Sequence, residues 1–514
     1  MVHDNTPILV GAGLTVQKQK DLAKAKSPVQ LMADAAGVAL DDCGQSAGVS
    51  AALDTVASIR FITDSPEARA IPFGQYSNPG RTVANLMGLS PKQSLLAATG
   101  GNSPQMMINE LAERIAQGRS EVALLVGGEG FASVMRAVGT GVDKSDWNDH
   151  PDEKPEEIGK EKMGVLPVEH RHGLFFPVNY YPIFENALRA HLGRDMQTHL
   201  QHVGKLMAPF TEVAAAHPQS WFPVARSAEE LITASDENRW VGYPYPKYLN
   251  SVIRIDQASA VVMMSVGKAR ELGIDESKWV FLHGCSDANE IWHGIERQDL
   301  HRSVAIHEMT KQAMAMAGWT IDDIDIFDLY SCFPSAVEVA CREMGIAEDD
   351  PRPFTVTGGL PYFGGAGNAY TLMSVATMMH KLRANPGAKG LCNGNGWFLT
   401  KHALGLYSTT PLEGPWQRED PAILQAKIEA GPRRRYVEAA SGEGWIESYT
   451  VAHVAGKSPQ GILIGRMSDS DDRFVAHMTP EGDHVARLMS EDGIGLKGTL
   501  AAQEDGTNIF TPLH

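Results

Sequence analysis

Residues 357–396, TGGLPYFGGAGNAYTLMSVATMMHKLRANPGAKGLCNGNG, contain two glycine-dense segments that are separated by a long helical pattern. Apolar side chains recur at helical spacing between the two segments, at Leu372, Val375, Met379 and Leu382. Residues 388–391 then predict a short strand that leads into a loop with the sequence CNGNG. Glycines permit positive φ angles and leave room for a ligand or another backbone to approach. The order loop, helix, strand, loop therefore predicts a binding site on an α/β scaffold.

The composition limits the class of protein. A chain of 514 residues requires two or more domains or one large duplicated domain. Its formal net charge of −17 argues against a surface that binds nucleic acid or an anionic membrane. No apolar run approaches membrane-spanning length, and the first residues lack the pattern of a signal peptide. Five cysteines without close spacing favour a reducing compartment, so we expect a cytoplasmic protein: Cys43, Cys285, Cys332, Cys341 and Cys392.

Strand and helix patterns alternate in two stretches of the chain. Residues 7–11 predict a buried strand, and residues 27–40 predict an amphipathic helix with Ser27 as its N-cap. After the next strands, a tight turn leads into a helix that begins near Asn102 or Ser103. The free N–H groups at such a helix start suit a nucleophile or an oxyanion. A similar alternation in residues 300–396 indicates a duplicated α/β unit.

Two other regions have a different character. Residues 131–249 begin as an acidic, turn-rich segment and continue as helices and proline-punctuated loops rich in Trp and Tyr. An insertion of this kind between α/β units usually covers a site. From residue 436 onward, apolar and polar residues alternate between turns, which predicts a small antiparallel barrel or sandwich.

Six short motifs occur in the order found in the thiolase superfamily. They are ATGGNSPQ (98–105), LLVGGEG (124–130), DQASA (256–260), DLYSCFP (328–334), GGLPYFGGAG (358–367) and LCNGNG (391–396). Over roughly residues 5 to 410 the chain resembles sterol-carrier-type thiolases and the thiolase-like proteins type 1, which carry an additional C-terminal domain. The resemblance implies a duplicated, five-layered α/β/α/β/α fold. It also implies acyltransferase activity of the acetyl-CoA acetyltransferase type and an inserted loop domain that binds coenzyme A.

The resemblance also divides the chain into domains. The predicted parts are an N-terminal half (1–130 and 250–275), an inserted loop domain (131–249), a C-terminal half (276–410), a linker (411–435) and an additional OB-like β-domain (436–514). We expect the β-domain to dock on the thiolase-like body and to shape or cover the mouth of its pocket. Its acidic segment DSDDRFVAHMTPEGD argues against single-strand nucleic-acid binding, which needs a basic groove. A monomer or a homodimer is compatible with the resemblance.

The catalytic positions differ from those of the family. Thiolases acylate a cysteine at the N-terminus of a buried helix, where its pKa is lowered. An ungapped alignment puts Gly101 at this position and Gly365 at the position of the activating histidine. Tyr330 replaces the Asn or His of the NEAF or HDCF motif, while Cys332 matches that motif and Cys392 matches the CxG cysteine. The resemblance therefore implies that covalent acyl transfer is lost.

The candidate site residues follow from these motifs. Cys392, Tyr330 and Tyr362 are candidate catalytic residues, although a buried cysteine and packed tyrosines would explain the same pattern. Candidate substrate-binding residues lie in the matching loops: Gly101, Asn102, Ser103, Cys332, Gly364, Gly365, Asn393, Gly394 and His402. Helix capping explains Ser103 better than nucleophilic catalysis does. We expect no metal, since the His170 and His172 pair is more typical of a solvated loop.

Three functions are compatible with the sequence. The first is a thiolase-like protein that interacts with an acyl-CoA or a lipid but lacks ordinary thiolase activity. The second is a retro-aldolase that cleaves a 3-hydroxyacyl-CoA with tyrosines, the β-domain replacing the small OB-fold partner of such aldolases. The third is a non-catalytic lipid- or CoA-binding scaffold. In each case a coenzyme A thioester is the expected ligand, and no cofactor is expected to be bound.

Overall fold

The computed structural model describes residues 2–64 and 70–513. Its helices are α1 (Pro28–Asp42), α2 (Ser46–Ala52), α3 (Pro79–Leu86), α4 (Ser103–Ala116), α5 (Phe131–Thr140), α6 (Pro167–Arg171), α7 (Pro177–His191), α8 (Met196–Ala216), α9 (Ala228–Ile232), α10 (Val266–Glu271), α11 (Val304–Ala317), α12 (Pro334–Met344), α13 (Tyr370–Ala384), α14 (Pro421–Glu429) and α15 (His484–Ser490). Its strands are β1 (Pro7–Val16), β2 (Thr55–Ile59), β3 (Gln93–Ala97), β4 (Val122–Gly130), β5 (Glu156–Ile158), β6 (Trp240–Gly242), β7 (Tyr245–Pro246), β8 (Asp256–Ser265), β9 (Val280–Asn289), β10 (Ile326–Asp328), β11 (Lys389–Gly396), β12 (Lys401–Ser408), β13 (Gly442–Ala452), β14 (Gln460–Met467), β15 (Arg473–Met478), β16 (Lys497–Ala502) and β17 (Asn508–Pro512).

The main sheet reveals the duplication. Its ten strands lie in the order β10-β11-β12-β9-β1-β8-β4-β2-β3-β5. In the N-terminal half, β2, β4, β8 and β1 follow one another, and in the C-terminal half β10, β11, β12 and β9 do the same. The first strand of each half, β1 or β9, lies at the centre of the whole sheet. The halves join there, because β1 pairs with β9 at Ile8–Phe281 and Leu9–Val280.

Helices separate the two halves and cover them. Helices α4 and α13 contact strands of both halves, and they also contact each other. Helix α1 covers β1, β4 and β8, whereas α11 covers β9 and β12. Almost every side chain of α13 from Tyr370 to Met379 is buried, as a helix enclosed on all sides requires. The predicted five-layered α/β/α/β/α fold is confirmed.

Local signals in the sequence fix several boundaries. The predicted N-cap Ser27 is confirmed, since its hydroxyl accepts a hydrogen bond from the Gln30 N–H while the Gln30 side chain accepts one from the Ser27 N–H. The predicted helix start near Ser103 is confirmed as well. One expectation is wrong, because CNGNG belongs to β11 rather than to a loop. At the searched residues, 2–64 and 70–513, no helix is long and apolar enough to cross a membrane.

The C-terminal region contains the predicted β-barrel. Strands β13, β14, β15, β17 and β16 pair in that order, and β16 pairs back to β13, which closes the barrel. Along the chain, α15 lies between β15 and β16. The inserted region contributes β6, which pairs with β13 at Gly242 and Ala452. The barrel is thus OB-like and shares its sheet with the insertion.

Polar contacts dock the barrel on the body. Helix α7 of the insertion packs on β13, where the Asn186 side-chain amide donates to the Tyr449 carbonyl at 2.8 Å. Arg473 is fully buried, contacts Glu447 at 2.7 Å and donates to the Ile295 carbonyl of the C-terminal half at 3.1 Å. Burial alone would raise the pKa of Glu447, but Arg473 and Arg466 outweigh it and hold this pKa at about 2. One ion pair therefore neutralises the buried cation that joins barrel and body.

Replacing the carboxylate of this pair tests the docking. Glu447→Gln should lower the free energy of unfolding by about 3–5 kcal/mol, because it leaves the Arg473 charge buried without its partner. The control Asp471→Asn removes an exposed partner of Arg466 and should cost at most about 1 kcal/mol.

The same carboxylate predicts a pH dependence. A depressed pKa in the folded protein stabilises it above the ordinary value of 4.5, and this contribution is lost as the pH falls toward 2. Chemical denaturation should show that loss in the wild type and less of it in Glu447→Gln. Equal stability of wild type and Glu447→Gln at neutral pH would contradict the account.

Candidate ligand-binding site

A cavity of about 510 Å³ opens where the two halves and the insertion meet. Its walls come from segments that precede or follow regular elements: residues 99–101 before α4, 175–178 with Tyr181 at the start of α7, 330–333 before α12, 365–368 before α13 and 395–398 around the end of β11. Four helices thus begin at or beside the cavity, and the free N–H groups at their starts favour a polar ligand group there.

The turn before α4 is fixed by neighbouring side chains. The Gly100 N–H donates to Asn368 Oδ1 at 3.0 Å, and Thr371 Oγ1 donates to the Gly101 carbonyl at 2.6 Å. Lys401 is buried behind the turn and donates to the Thr99 carbonyl. Burial lowers the pKa of Lys401 to about 8. The start of α4, in the N-terminal half, is therefore held in place by side chains of the C-terminal half.

Tyr330 occupies the space that a side chain at position 101 would need. A Cβ atom on Gly101 would lie 2.1 Å from Tyr330 Oη and 2.5 Å from the Asn395 carbonyl oxygen. A cysteine at this position would collide with the tyrosine. The glycine and the tyrosine are thus complementary, and the hydroxyl stands where the family resemblance places a thiol.

The space beside Gly365 is also occupied by neighbouring atoms. A Cβ atom on Gly365 would lie 2.4 Å from Ser251 Oγ and 3.1 Å from the Val252 carbonyl oxygen. An imidazole cannot extend from this position without displacing the Ser251 segment. Both positions that differ from the family are consequently packed against other groups.

The Tyr330 hydroxyl faces the cavity without a partner. Its ring lies edge to face with Tyr370 at 5.6 Å, and its N–H donates to Asn393 Oδ1 at 2.8 Å. Across residues 2–64 and 70–513 its hydroxyl makes no hydrogen bond within 3.5 Å. Burial, with a smaller contribution from Cys332, raises the pKa of Tyr330 well above its usual value. The side chain is therefore a neutral hydrogen-bond donor at physiological pH.

Tyr181 organises the opposite wall. Its hydroxyl donates to the Trp397 carbonyl at 2.8 Å and accepts from Asn395 Nδ2 at 2.8 Å. Asn395 Nδ2 also lies 3.8 Å from Cys332 Sγ. Trp397 has a φ of 54°, which is rare for a bulky residue and shows that this turn is held by its surroundings. Burial raises the pKa of Cys332 to about 12, so its thiol is neutral and a poor nucleophile.

Four of the predicted site residues line the cavity: Gly101, Tyr330, Cys332 and Gly365. Cys392 does not, because it lies fully buried in the interior of β11, where burial raises its pKa well above 9. Tyr362 is also buried outside the cavity lining, and its hydroxyl has no partner in the described parts of the chain. Catalytic roles for Cys392 and Tyr362 stay predictions that this geometry does not support.

The remaining predicted residues support the walls without lining them: Asn102, Ser103, Gly364, Asn393, Gly394 and His402. The Ser103 hydroxyl is fully buried and donates to the Ala98 carbonyl, so it stabilises the turn before α4. A Cβ on Gly394 would lie 2.7 Å from Asn102 Cα, which explains why β11 needs a glycine where it passes α4. His402 is buried, and burial lowers its pKa to about 4.

Sequence reasoning missed several lining residues. Asn395 lies inside the motif LCNGNG, three residues after Cys392, which matches the CxG cysteine of the family. Tyr181, Phe175 and Phe176 lie in the insertion, where only their aromatic character was a signal. No residue of the barrel lines the cavity within the described chain. The barrel instead packs on α7, the helix that contributes Tyr181 to the cavity.

A double-mutant cycle tests the complementarity of Gly101 and Tyr330. Gly101→Ala should destabilise the protein by about 1–3 kcal/mol, because its methyl group overpacks the site. In the Tyr330→Ala background the same change should cost less, with a coupling energy of about 0.5–3 kcal/mol in urea unfolding. The control Gly37→Ala has open space around its Cβ within α1 and should stabilise by about 0.5–1 kcal/mol. Strict additivity would contradict the proposed contact.

Comparisons with known proteins agree with this fold. The family model described as thiolase-like protein type 1 additional C-terminal domain matches residues 423–507. The crystal structure of a monomeric SCP2-thiolase like protein type 1 from Mycobacterium smegmatis superposes with a TM-score of 0.85 and 35% identity, covering 100% of both chains. An Ltp2-ChsH2(DUF35) aldolase gives a TM-score of 0.58 at 16% identity over 80% of this chain and 99% of that one, which shows the fold alone.

Thiolases with curated functions match only in part. The cytosolic acetyl-CoA acetyltransferase of Rattus norvegicus is 30% identical over 89 residues, which are 17% of this chain and 22% of that enzyme. The chain therefore matches about a fifth of this relative's length, whereas it matches the Mycobacterium smegmatis protein from end to end. The chain belongs to the SCP2-thiolase like proteins type 1.

Proposed function

We propose that this protein binds an acyl-CoA thioester, or a related lipid, without forming an acyl-enzyme. The observation that carries the proposal is the position of Tyr330 Oη, 2.1 Å from where a Cβ of residue 101 would lie. A thiolase nucleophile and the Tyr330 hydroxyl exclude each other at this point. The cavity therefore offers a hydrogen-bond donor where a thiolase offers a thiolate.

The cavity lining fits an acyl ligand. Aromatic and aliphatic side chains dominate it, among them Phe175, Phe176, Trp397 and Leu360. Its volume of about 510 Å³ lies in the usual range for small-molecule sites. Polar side chains are fewer, among them Tyr330, Asn395 and Asn368. The Tyr330 hydroxyl lies beside Gly101 at the start of α4, where a donor suits a thioester carbonyl.

The cavity lacks the chemical groups that covalent acyl transfer to the protein requires. Nucleophilic catalysis requires an activated thiol or hydroxyl beside a general base. The cavity-lining thiol of Cys332 has a pKa raised to about 12 by burial, and Gly365 carries no base. Without both groups the acyl chain can bind but has no acceptor on the protein.

Intact-mass spectrometry tests the absence of acylation. Wild-type protein mixed with acyl-CoA should show no mass increase of one acyl group. The double variant Gly101→Cys/Tyr330→Ala provides the comparison, since it places a thiol at the N-terminus of α4 and removes the clash with Tyr330 Oη, leaving the Asn395 carbonyl oxygen to shift. It should acquire the adduct, but slowly, because Gly365 supplies no base. A thioester on the wild-type chain would refute the proposal.

Calorimetry tests ligand binding by the same cavity. The affinity for acyl-CoA should rise with acyl length, because each buried methylene contributes about 0.8 kcal/mol. Phe176→Ala, which removes a half-exposed ring from the cavity mouth, should weaken binding of the long-chain ligand. Phe222→Ala removes a similarly exposed ring outside the cavity lining and should have no effect. Equal affinities for short and long chains would contradict an acyl site.

Retro-aldol cleavage is a second candidate, favoured by the unpartnered hydroxyl of Tyr330. In that reaction a base removes the proton of the 3-hydroxyl, and the bond between C2 and C3 breaks. The electron pair passes to the thioester as an enolate, which is then protonated at C2 to give a shorter acyl-CoA and a carbonyl product. A neutral donor beside the thioester oxygen stabilises the enolate. Tyr330 and the nearby start of α4 meet this requirement.

Conservative tyrosine variants distinguish catalysis from binding. Tyr330→Phe should lower the rate of carbonyl release from a 3-hydroxyacyl-CoA by roughly 100- to 1,000-fold, as loss of an oxyanion donor does. Tyr362→Phe changes a buried tyrosine outside the cavity lining and should leave the rate unchanged. Cleavage at the wild-type rate by Tyr330→Phe would eliminate this candidate, and the binding proposal would remain.

A further inference from the structure

A second cluster of chemically reactive groups lies behind the cavity wall, in the contact between three helices. Glu185 on α7, His199 on α8 and Glu338 on α12 each place one ligand-type atom within 4.8 Å of the others. Glu185 and His199 are fully buried, and Glu338 is 6% exposed. Two carboxyl groups and an imidazole are costly to bury unless protons or a cation compensate them.

The existing hydrogen bonds leave part of the cluster unused. His199 Nε2 contacts Glu185 Oε1, and the Tyr245 hydroxyl donates to Glu185 Oε2. In contrast, Glu338 Oε2 and His199 Nδ1 are buried without a hydrogen-bond partner in the described residues. His202 lies one helical turn beyond His199, and its Nε2 is 3.5 Å from Glu338 Oε1. The cluster therefore has spare ligand capacity and a fourth donor beside it.

We propose that Glu185, His199, Glu338 and His202 form a binding site for a divalent transition-metal ion of the zinc type. Imidazole and carboxylate ligands are typical of such ions, and four ligands complete a tetrahedral structural site. With metal–ligand bonds of about 2.1 Å, the ligand atoms need to be roughly 3.4 Å apart. Ligand atoms of Glu185, His199 and Glu338 already lie within 4.8 Å of one another, and His202 Nε2 lies 3.5 Å from Glu338 Oε1. Binding would require these side chains to draw closer around the ion.

Charge balance supports a cation in this cluster. Two carboxyl groups and two imidazoles lie together in the protein interior. One divalent cation would balance the two carboxylates, so the cluster would carry no net buried charge.

Among the described residues, the neighbouring side chains leave the cluster without a cation of its own. Arg194 pairs with Glu348 near Glu338, so these two charges largely cancel. Tyr245 donates to Glu185 and remains as an outer partner that orients the carboxylate. His202 is 23% exposed and marks the side from which an ion enters.

The site would brace the ligand cavity. Glu185 lies four residues after Tyr181 on α7, and Glu338 lies on α12, which begins directly after Phe333. Tyr181 and Phe333 both line the cavity, and their rings stack at 4.5 Å. A bound ion would therefore fix the two helices that carry this wall, independently of which ligand the cavity takes.

Metal binding to purified, chelator-treated protein tests the proposal directly. Competition with a chromophoric chelator should show one Zn²⁺ bound per chain, and the affinity should fall by at least about tenfold per pH unit below neutrality as protons compete. Zn²⁺ should also raise the midpoint of thermal unfolding, since it binds only the folded protein. Neither readout depends on catalytic activity.

Three variants assign the ligands. Glu338→Gln keeps the side-chain shape and should abolish Zn²⁺ binding, and His202→Asn, at a partly exposed position, should weaken it at least about tenfold. His307→Asn removes an exposed histidine that lies 3.8 Å from Glu343 elsewhere on the surface, and it should bind Zn²⁺ like the wild type. Absence of binding to folded wild-type protein, or undiminished binding by Glu338→Gln, would overturn the proposal.

Discussion

The contact between Gly101 and Tyr330 determines the chemistry of the whole site. The tyrosine hydroxyl fills the space beyond a residue that has no side chain, at the start of a helix buried between the two halves. Either residue alone would create a defect. A larger side chain at 101 would clash, and a smaller one at 330 would leave a cavity. Together they place a neutral hydrogen-bond donor at the start of α4.

Helix α7 connects the features that surround this contact. Its first turn carries Tyr181, which holds Asn395 and Trp397 at the cavity. One turn later Glu185 enters the buried carboxyl and imidazole cluster, and the next residue, Asn186, reaches the barrel. The barrel and the cavity therefore share one helix, although the barrel does not line the cavity within the described residues.

The overall fold was predictable because six motifs in one order constrain the chain more strongly than any single motif. Local chemistry also predicted the start of α1 and of α4, where Ser27 and Ser103 lie at the helix ends. The course of β11 was not predictable. Its glycines resemble a loop in the sequence, but Gly394 is required by the close approach of Asn102 from the other half. Only the tertiary packing contains that information.

The site was predictable in its parts rather than in its geometry. Alignment identified Gly101 and Tyr330 separately, yet nothing in the sequence showed that one occupies the space of the other. Asn395 was passed over because the neighbouring Cys392 matched a family motif, although it is Asn395 that reaches the cavity. Glu185, His199 and Glu338 have no motif spacing, since they come from three helices. Such a cluster becomes visible only when the helices are packed together.

A crystal structure with a non-hydrolysable 2-oxoalkyl thioether of coenzyme A, which keeps a ketone in place of the thioester carbonyl, would test this account most directly. The account predicts that the ketone oxygen lies within about 2.5–3.2 Å of Tyr330 Oη or Asn395 Nδ2, with the chain among the aromatic side chains of the cavity. Tyr330 should keep its position beside Gly101. An analogue bound elsewhere, or one that displaces Tyr330 from Gly101, would contradict the account.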